Sequence, residues 1–283
     1  MEKIKFSCLM SVYKNDKLEY IIKAIDSVLN QSIRPNQYVI MIDGPIDDKL
    51  KKILLEYEKK DKIIELYFRE ENKGLGITLN EGLNNCKYEY VARMDADDES
   101  CKNRFEEQLK ILLANINIDV VGCNVLEYDE NMKRVLCEKR VPQYSEEIKK
   151  FAEKRNPINH PTVMFKKSAI LDCGSYEDCR YFEDYYLWVK LLKNGYSFYN
   201  IQKPLYKFRA GKTMYERRGG IAYINCIKNF EFRIYKMGYI NLFMCINNII
   251  KRSVVALLPN NIRTFLYLKK LRKDKKITGD IYE

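Results

Sequence analysis

Phe6 to Tyr13 is a short apolar run that stops at the polar Lys14-Asn15-Asp16. From Leu18 to Leu29 the period changes: Leu18, Ile21, Ile22, Ile25, Val28 and Leu29 recur at helical spacing. The alternation then repeats. Tyr38 to Ile42 reads as a buried strand cut off by Asp43-Gly44-Pro45. Asp48 to Lys60 reads as a helix with Leu50, Ile53, Leu54 and Tyr57 on one face. Ile63 to Phe68 is a third strand, Gly74 to Asn84 a helix carrying Leu75, Leu79 and Leu83, and Tyr88 to Met94 a fourth strand. Residues 100–150 predict a helix, a strand over Val120–Tyr128 and a polar hairpin. Leu187, Trp188, Leu191 and Leu192 again have helical spacing, and Gly195 can end that helix. Asp184 then lies at or near its N-terminus. From Gly219 onward the pattern is helical and basic.

Strands alternating with helices over short loops predict an α/β fold, a mostly parallel sheet flanked by helices. Such sheets bind ligands beyond the carboxyl ends of their strands. Lys14-Asn15-Asp16, Asp43-Gly44 and Asp95-Ala96-Asp97-Asp98 all follow predicted strands, so the fold would gather them at one edge.

Charge changes the picture of the C-terminal part. The chain of 283 residues has a net charge of +11, but residues 204–283 alone hold 17 Lys and Arg against 5 Asp and Glu. The body is therefore close to neutral and the tail basic, which suits an anionic partner. In the tail, Leu242, Phe243, Met244, Ile246, Ile249 and Ile250 precede Lys251-Arg252, and Phe265 to Leu268 precede Lys269, Lys270, Arg272 and Lys273. Amphipathic helices on an anionic bilayer would look like this; helices packed on the body or on a second subunit are the alternative. A nucleic-acid partner is not expected, because the body carries no basic surplus. Nine Cys without a CxxC pair argue against a disulfide framework and a four-ligand zinc site, and for reduced thiols in a cytosol. The N-terminus does not read as a signal peptide, and no stretch is long and apolar enough to span a membrane. The expected location is cytoplasmic, peripheral on the inner face of the cell membrane.

Three carboxylates within four residues, Asp95, Asp97 and Asp98, repel one another unless a cation or basic group lies among them. Mg²⁺ or Mn²⁺ takes oxygen ligands and bridges carboxylates to phosphates. Read alone, the cluster is an acidic turn. Its place after a buried strand favours the metal.

Six segments together resemble the family 2 glycosyltransferases of the GT-A, Rossmann-like fold. They are Ser11-Val-Tyr-Lys-Asn, Ile42-Asp-Gly-Pro, Glu71 to Leu83, Tyr90 to Asp98, Asn159 to Phe165 and Tyr181 to Trp188. They occur in family order over roughly residues 4–220. The resemblance implies a catalytic domain over 1–218, with a nucleotide-sugar half at about 1–100 and an acceptor half at about 101–218. A basic amphipathic helical tail follows over 219–283.

The resemblance also implies roles. Ser11, Tyr13 and Asp43 would hold the nucleotide base and ribose, and Lys73, at a helix start that favours anions, the base or a phosphate. Asp97 and Asp95 would bind the metal, while Arg93 touches a carboxylate or phosphate. Asp184 would be the general base and Glu183 would position the acceptor or Asp184. His160, the only histidine, would contact acceptor or diphosphate; its plain reading is a packed residue. Many relatives carry an acid where this chain has Ile42, and a metal-binding His near the segment where it has Arg209. Either the metal then has fewer protein ligands, or Arg209 meets the diphosphate directly, within a basic loop that includes Lys212, Arg217 and Arg218.

The expected function is inverting transfer of a sugar from a nucleoside-diphosphate sugar, a UDP-sugar, to a hydroxyl of a lipid-linked saccharide in bacterial surface polysaccharide biosynthesis. A nucleotidyltransferase of similar fold is disfavoured because Ser11-Val-Tyr-Lys-Asn lacks the Gly-rich phosphate loop that class needs. A non-catalytic binding protein is disfavoured by the acidic clusters.

Overall fold

A computed structural model describes residues 4–211 and 218–269. Lys212 and Arg217 of the basic loop, and Lys270, Arg272 and Lys273 of the tail, lie outside the described residues. The elements in chain order are β1 (Phe6–Val12), α1 (Leu18–Leu29), β2 (Gln37–Ile42), α2 (Asp48–Lys60), β3 (Ile64–Phe68), α3 (Leu75–Asn85), β4 (Tyr90–Asp95) and β5 (Glu99–Ser100). Then come α4 (Arg104–Ala114), β6 (Val120–Tyr128), β7 (Val135–Lys139), α5 (Ser145–Ala152), a 3₁₀ turn (His160–Thr162), β8 (Met164–Lys166), α6 (Lys167–Asp172), α7 (Glu183–Lys193) and β9 (Phe198–Arg209). Three helices close the described chain: α8 (Gly220–Lys236), α9 (Leu242–Leu257) and α10 (Asn260–Lys269).

The strands form one nine-stranded sheet in the order β3-β2-β1-β4-β8-β6-β9-β5, with β7 on β6. The first four are parallel. β8 is antiparallel to both β4 and β6, and β9 returns parallel to β6. Period-two alternation divides the core between the two faces of the sheet. Cys8 and Met10 of β1 pack towards α1, α2 and α4, whereas Leu9 packs towards α3 and α7. Both faces of the parallel half are covered, so β1 and β2 at its centre are buried almost throughout, as their unbroken apolar runs require, while the edge strand β3 is only half-buried.

The tail helices are part of this packing. Ile227, Phe230 and Ile234 of α8 belong to the same core as Trp188 of α7, and the Phe230 ring stacks on Phe182 with centroids 4.7 Å apart. The fully buried Glu231 of α8 pairs with Arg252 of α9 at 3.0 Å, and Asn248 donates to Glu231 at 3.1 Å. The other side of α9 is apolar and exposed: Phe243, Ile246, Ile250, Val254 and Leu257 lie one above another on it. Among the described residues no helix is long and apolar enough to cross a membrane.

Candidate active site

The parallel register brings the chemistry to one edge. Ser11 is opposite Asp95 across β1 and β4, and Asp43 N–H donates to Val12 C=O at 2.8 Å. Tyr13, half-buried just past β1, donates its N–H to Asp16 at 2.9 Å. The Asp43 carboxylate is buried and accepts from the N–H groups of Lys73 and Gly74, both at 3.0 Å, with Arg69 3.6 Å away. It ties the strand end to the loop that opens α3. Gly44 permits this approach: its φ is +89°, and a Cβ there would fall 2.6 Å from Asn72 N. An ionised carboxylate has about four acceptor positions, so Asp43 keeps capacity for a ligand. Lys73 is exposed beside a hollow of about 420 Å³ lined also by Arg69, Glu70, Glu71 and Glu81. A second hollow, of about 350 Å³ along α2, gathers no comparable chemistry.

Asp95, Asp97 and Asp98 can bring one carboxylate oxygen each within 4.8 Å of one another. They are not equivalent. Asp95 pairs with the buried Arg93. Burial, the largest single influence, would lower the Arg93 pKa, but Asp95 together with Tyr206 and Tyr176 outweighs it and the guanidinium is held more firmly charged. Asp97 is exposed at the rim; partial desolvation, and then the Asp95 charge, push it up to about 6. Asp98 is 1% exposed. Its Oδ1 accepts from Arg209 N–H at 2.7 Å, and its Oδ2 has no hydrogen-bond partner among the described residues. Burial, followed by the two neighbouring carboxylates, raises its pKa well above the ordinary range. An orphaned oxygen and repulsion among three carboxylates that Arg93 and Arg209 relieve only in part fit a hard divalent cation.

Arg209 adjoins this cluster. Its Nε donates to Asp97 C=O at 2.7 Å, Nη1 donates to Glu130 C=O, and the guanidinium lies 3.6 Å over the Tyr20 ring. Nη2 is buried without a partner among the described residues. Most of this side chain braces the Asp97 loop, and one donor remains.

The second acidic pair opens α7, where carboxylates are favoured by the helix dipole. Glu183 is pushed up to about 7, chiefly by burial. It lies against Gly76 of α3, whose Cβ would sit 3.2 Å from Glu183 Cγ. Asp184 is also raised, by burial first, against the opposing effect of an Asn156 hydrogen bond. The two acidic groups share a wall. Tyr176 feels both Asp184 and Asp95, and Arg93 acts on both Asp97 and Asp184.

His160 is in that wall rather than at the rim. It is 8% exposed, its Nε2 is 3.0 Å from the Tyr176 hydroxyl, and its ring is edge-on to Trp188. Burial, then Arg93, lowers its pKa well below the ordinary value, so it is neutral. The sequence set Asp98 in the acidic cluster without a role of its own and Gly76 in the segment from Glu71 to Leu83, and it did not single out Tyr176 or Asn156. Asp98 was readable from its adjacency to Asp97; the others carry no local signal.

The profile of a family described as Glycosyl transferase family 2 matches residues 7–178. An Escherichia coli protein named UDP-Gal:alpha-D-GlcNAc-diphosphoundecaprenol beta-1,3-galactosyltransferase is 35% identical over 95% of this chain and 97% of its own length. The amylovoran biosynthesis glycosyltransferase AmsE of Erwinia amylovora is 33% identical over 96% and 99%. Among solved structures, a mannosyltransferase of Pyrobaculum calidifontis in complex with GDP-Man and Mn²⁺ superposes with a TM-score of 0.64 at 15% identity, covering 95% of this chain and 82% of that one. That last likeness is one of GT-A fold.

Proposed function

The chain belongs to glycosyl transferase family 2, and from that premise we propose that it moves a sugar, with inversion, from a UDP-sugar to a hydroxyl of a lipid-linked saccharide in surface polysaccharide biosynthesis. The observation that carries the reading is the Asp95-Asp97-Asp98 cluster, with its unpartnered buried oxygen, beside the free Arg209 donor. The E. coli relative's named donor and lipid-diphosphate acceptor, and the Erwinia relative's polysaccharide, support the substrate classes.

Asp97 and Asp95, with Asp98 behind them, would hold Mn²⁺ or Mg²⁺; when bound, the cation neutralises charge on the departing diphosphate. Ser11, Tyr13, Asp43 and Lys73 hold the nucleotide. Arg93 pairs with Asp95 and fixes its carboxylate, and Arg209 Nη2 donates to the diphosphate. His160 supports the floor of the site through Tyr176. The acceptor oxygen forms its bond to the anomeric carbon as the bond to the diphosphate oxygen breaks. That electron pair leaves with the diphosphate, and the hydroxyl proton passes to Asp184, aid worth about 10²–10⁴-fold in rate. Glu183 positions the acceptor.

The test is hydrolysis and transfer with a panel of UDP-, GDP- and dTDP-sugars, with and without Mn²⁺. Metal-dependent turnover of a UDP-sugar is expected, and Asp184→Asn should abolish transfer with donor affinity nearly intact. Absence of metal-dependent binding or turnover with every donor would sink the proposal. Full activity in Asp184→Asn would remove the base assignment alone.

A lipid-linked acceptor would bring the reaction to a bilayer. The exposed face of α9, with Phe243 81% exposed, and the basic surplus of residues 204–283 support peripheral contact with the anionic inner face of the cell membrane.

A further inference from the structure

Among the described residues one side chain hydrogen-bonds to Asp184, and its construction is specific. Asn156 Nδ2 donates to Asp184 Oδ2 at 2.6 Å, while Asp184 Oδ1 accepts from Tyr185 N–H, the next residue of its own helix, at 2.7 Å. Asn156 is on the loop between α5 and the 3₁₀ turn, and that loop is fastened. Pro157 follows it and disfavours helical backbone at Asn156. Pro157 C=O accepts from Asn200 at 3.2 Å, and Asn159 donates to Cys123 C=O at 2.9 Å. Ile158 packs so closely on β6 that a Cβ at Gly122 would fall 2.5 Å from its Cγ1. Ile158 N–H donates to Asn156 Oδ1 at 3.4 Å. That contact occupies the carbonyl oxygen and turns the amide nitrogen, a donor only, towards the carboxylate.

We propose that Asn156 is the positioning residue of Asp184: its fixed amide sets the carboxylate rotamer and leaves the remaining lone pairs for the acceptor hydroxyl. This rests on the reading of Asp184 as general base. A donor in this place also stabilises the carboxylate over the acid. The charges around it are Glu183 on the same helix, Lys139 of β7 and Arg93 of β4, with the Tyr176 hydroxyl nearby. Lys139 and Arg93 favour ionisation of Asp184, whose charge in turn raises the pKa of Glu183. Asn156 adds a hydrogen bond to the charged form itself, the class of bond whose loss moves a pKa by about one to two units.

The experiment follows hydrolysis of the UDP-sugar chosen from the panel above, by the full chain, from pH 5 to 9. Asn156→Ala should move the acid limb of kcat up by about one to two pH units and lower kcat at pH 7 at least tenfold, with the donor KM within twofold. Asn156→Asp, of nearly the same shape but with a like charge facing Asp184, should move the limb further. A uniform fall in kcat with the limb in place, or a change confined to KM, would overturn the proposal and leave Asn156 a loop residue. If Asn156→Ala does not fold, Asn156→Asp carries the same comparison. An inactive Asp184→Asn alongside an unmoved limb defeats the Asn156 inference alone; an active Asp184→Asn defeats the base reading beneath it.

Discussion

Glu183 and Asp184 are adjacent in sequence, yet their surroundings ask different things of them. Glu183 packs against Gly76 and is pushed up to about 7, while a free glutamate titrates near 4.3. Its folded pKa exceeds its unfolded one, so the native state keeps a proton that the unfolded chain gives up. Its contribution to stability is full below about pH 4 and is lost as pH rises through about 7. Thermal melts without divalent metal should therefore show wild type losing stability over that window relative to Glu183→Gln. Parallel Tm curves for the two would disprove this environment for Glu183. At this scale the residue types were legible: three carboxylates in four positions, and a Glu-Asp pair before a helix. What their side chains meet was not. Asp98 looks like Asp97 in sequence, but it is buried against Arg209 N–H, 111 residues away. His160 is in the motif the resemblance singled out, but Trp188 and Tyr176 enclose it.

At the scale of elements, periodicity carried far. Helices over Leu18–Leu29 and Asp48–Lys60 stand where the apolar spacing put them, and Gly195, with φ +87°, follows the end of α7. Short β5 and β8 have no readable period, because a strand of two or three residues shows no alternation. The docking of the last helices was equally silent. It depends on Glu231, fully buried in α8, meeting Arg252 and Asn248 of α9. Glu231→Ala would remove the carboxylate that Arg252 and Asn248 share, leaving Arg252 the Lys154 C=O and Asn248 the Glu153 C=O, at a cost of about 2 kcal/mol. Urea unfolding should show a lower midpoint for Glu231→Ala; an unchanged midpoint would mean that this pair does not fasten α9.

For the whole molecule, docking of one face of α9 is what exposes the other. Phe243, Ile246, Ile250, Val254 and Leu257 form its outer stripe. Ile246→Glu with Ile250→Glu should abolish flotation with vesicles rich in phosphatidylglycerol while leaving UDP-sugar hydrolysis in solution unchanged. Equal flotation of variant and wild type would remove the membrane from the proposal. The order of the elements from β1 to β4, the layered α/β class and the three acidic loops at strand ends follow from the sequence itself. Hydrophobic period and turn chemistry are local, and a strand followed by a helix leaves few ways to cover a sheet. Tertiary structure decided the rest: β8 entering antiparallel beside β4, Arg93 and Tyr176 joining two acid groups that are ninety residues apart, and Asn156 reaching Asp184. Each joins residues distant in the chain through side-chain geometry, and such contacts exist only once the sheet has closed around them.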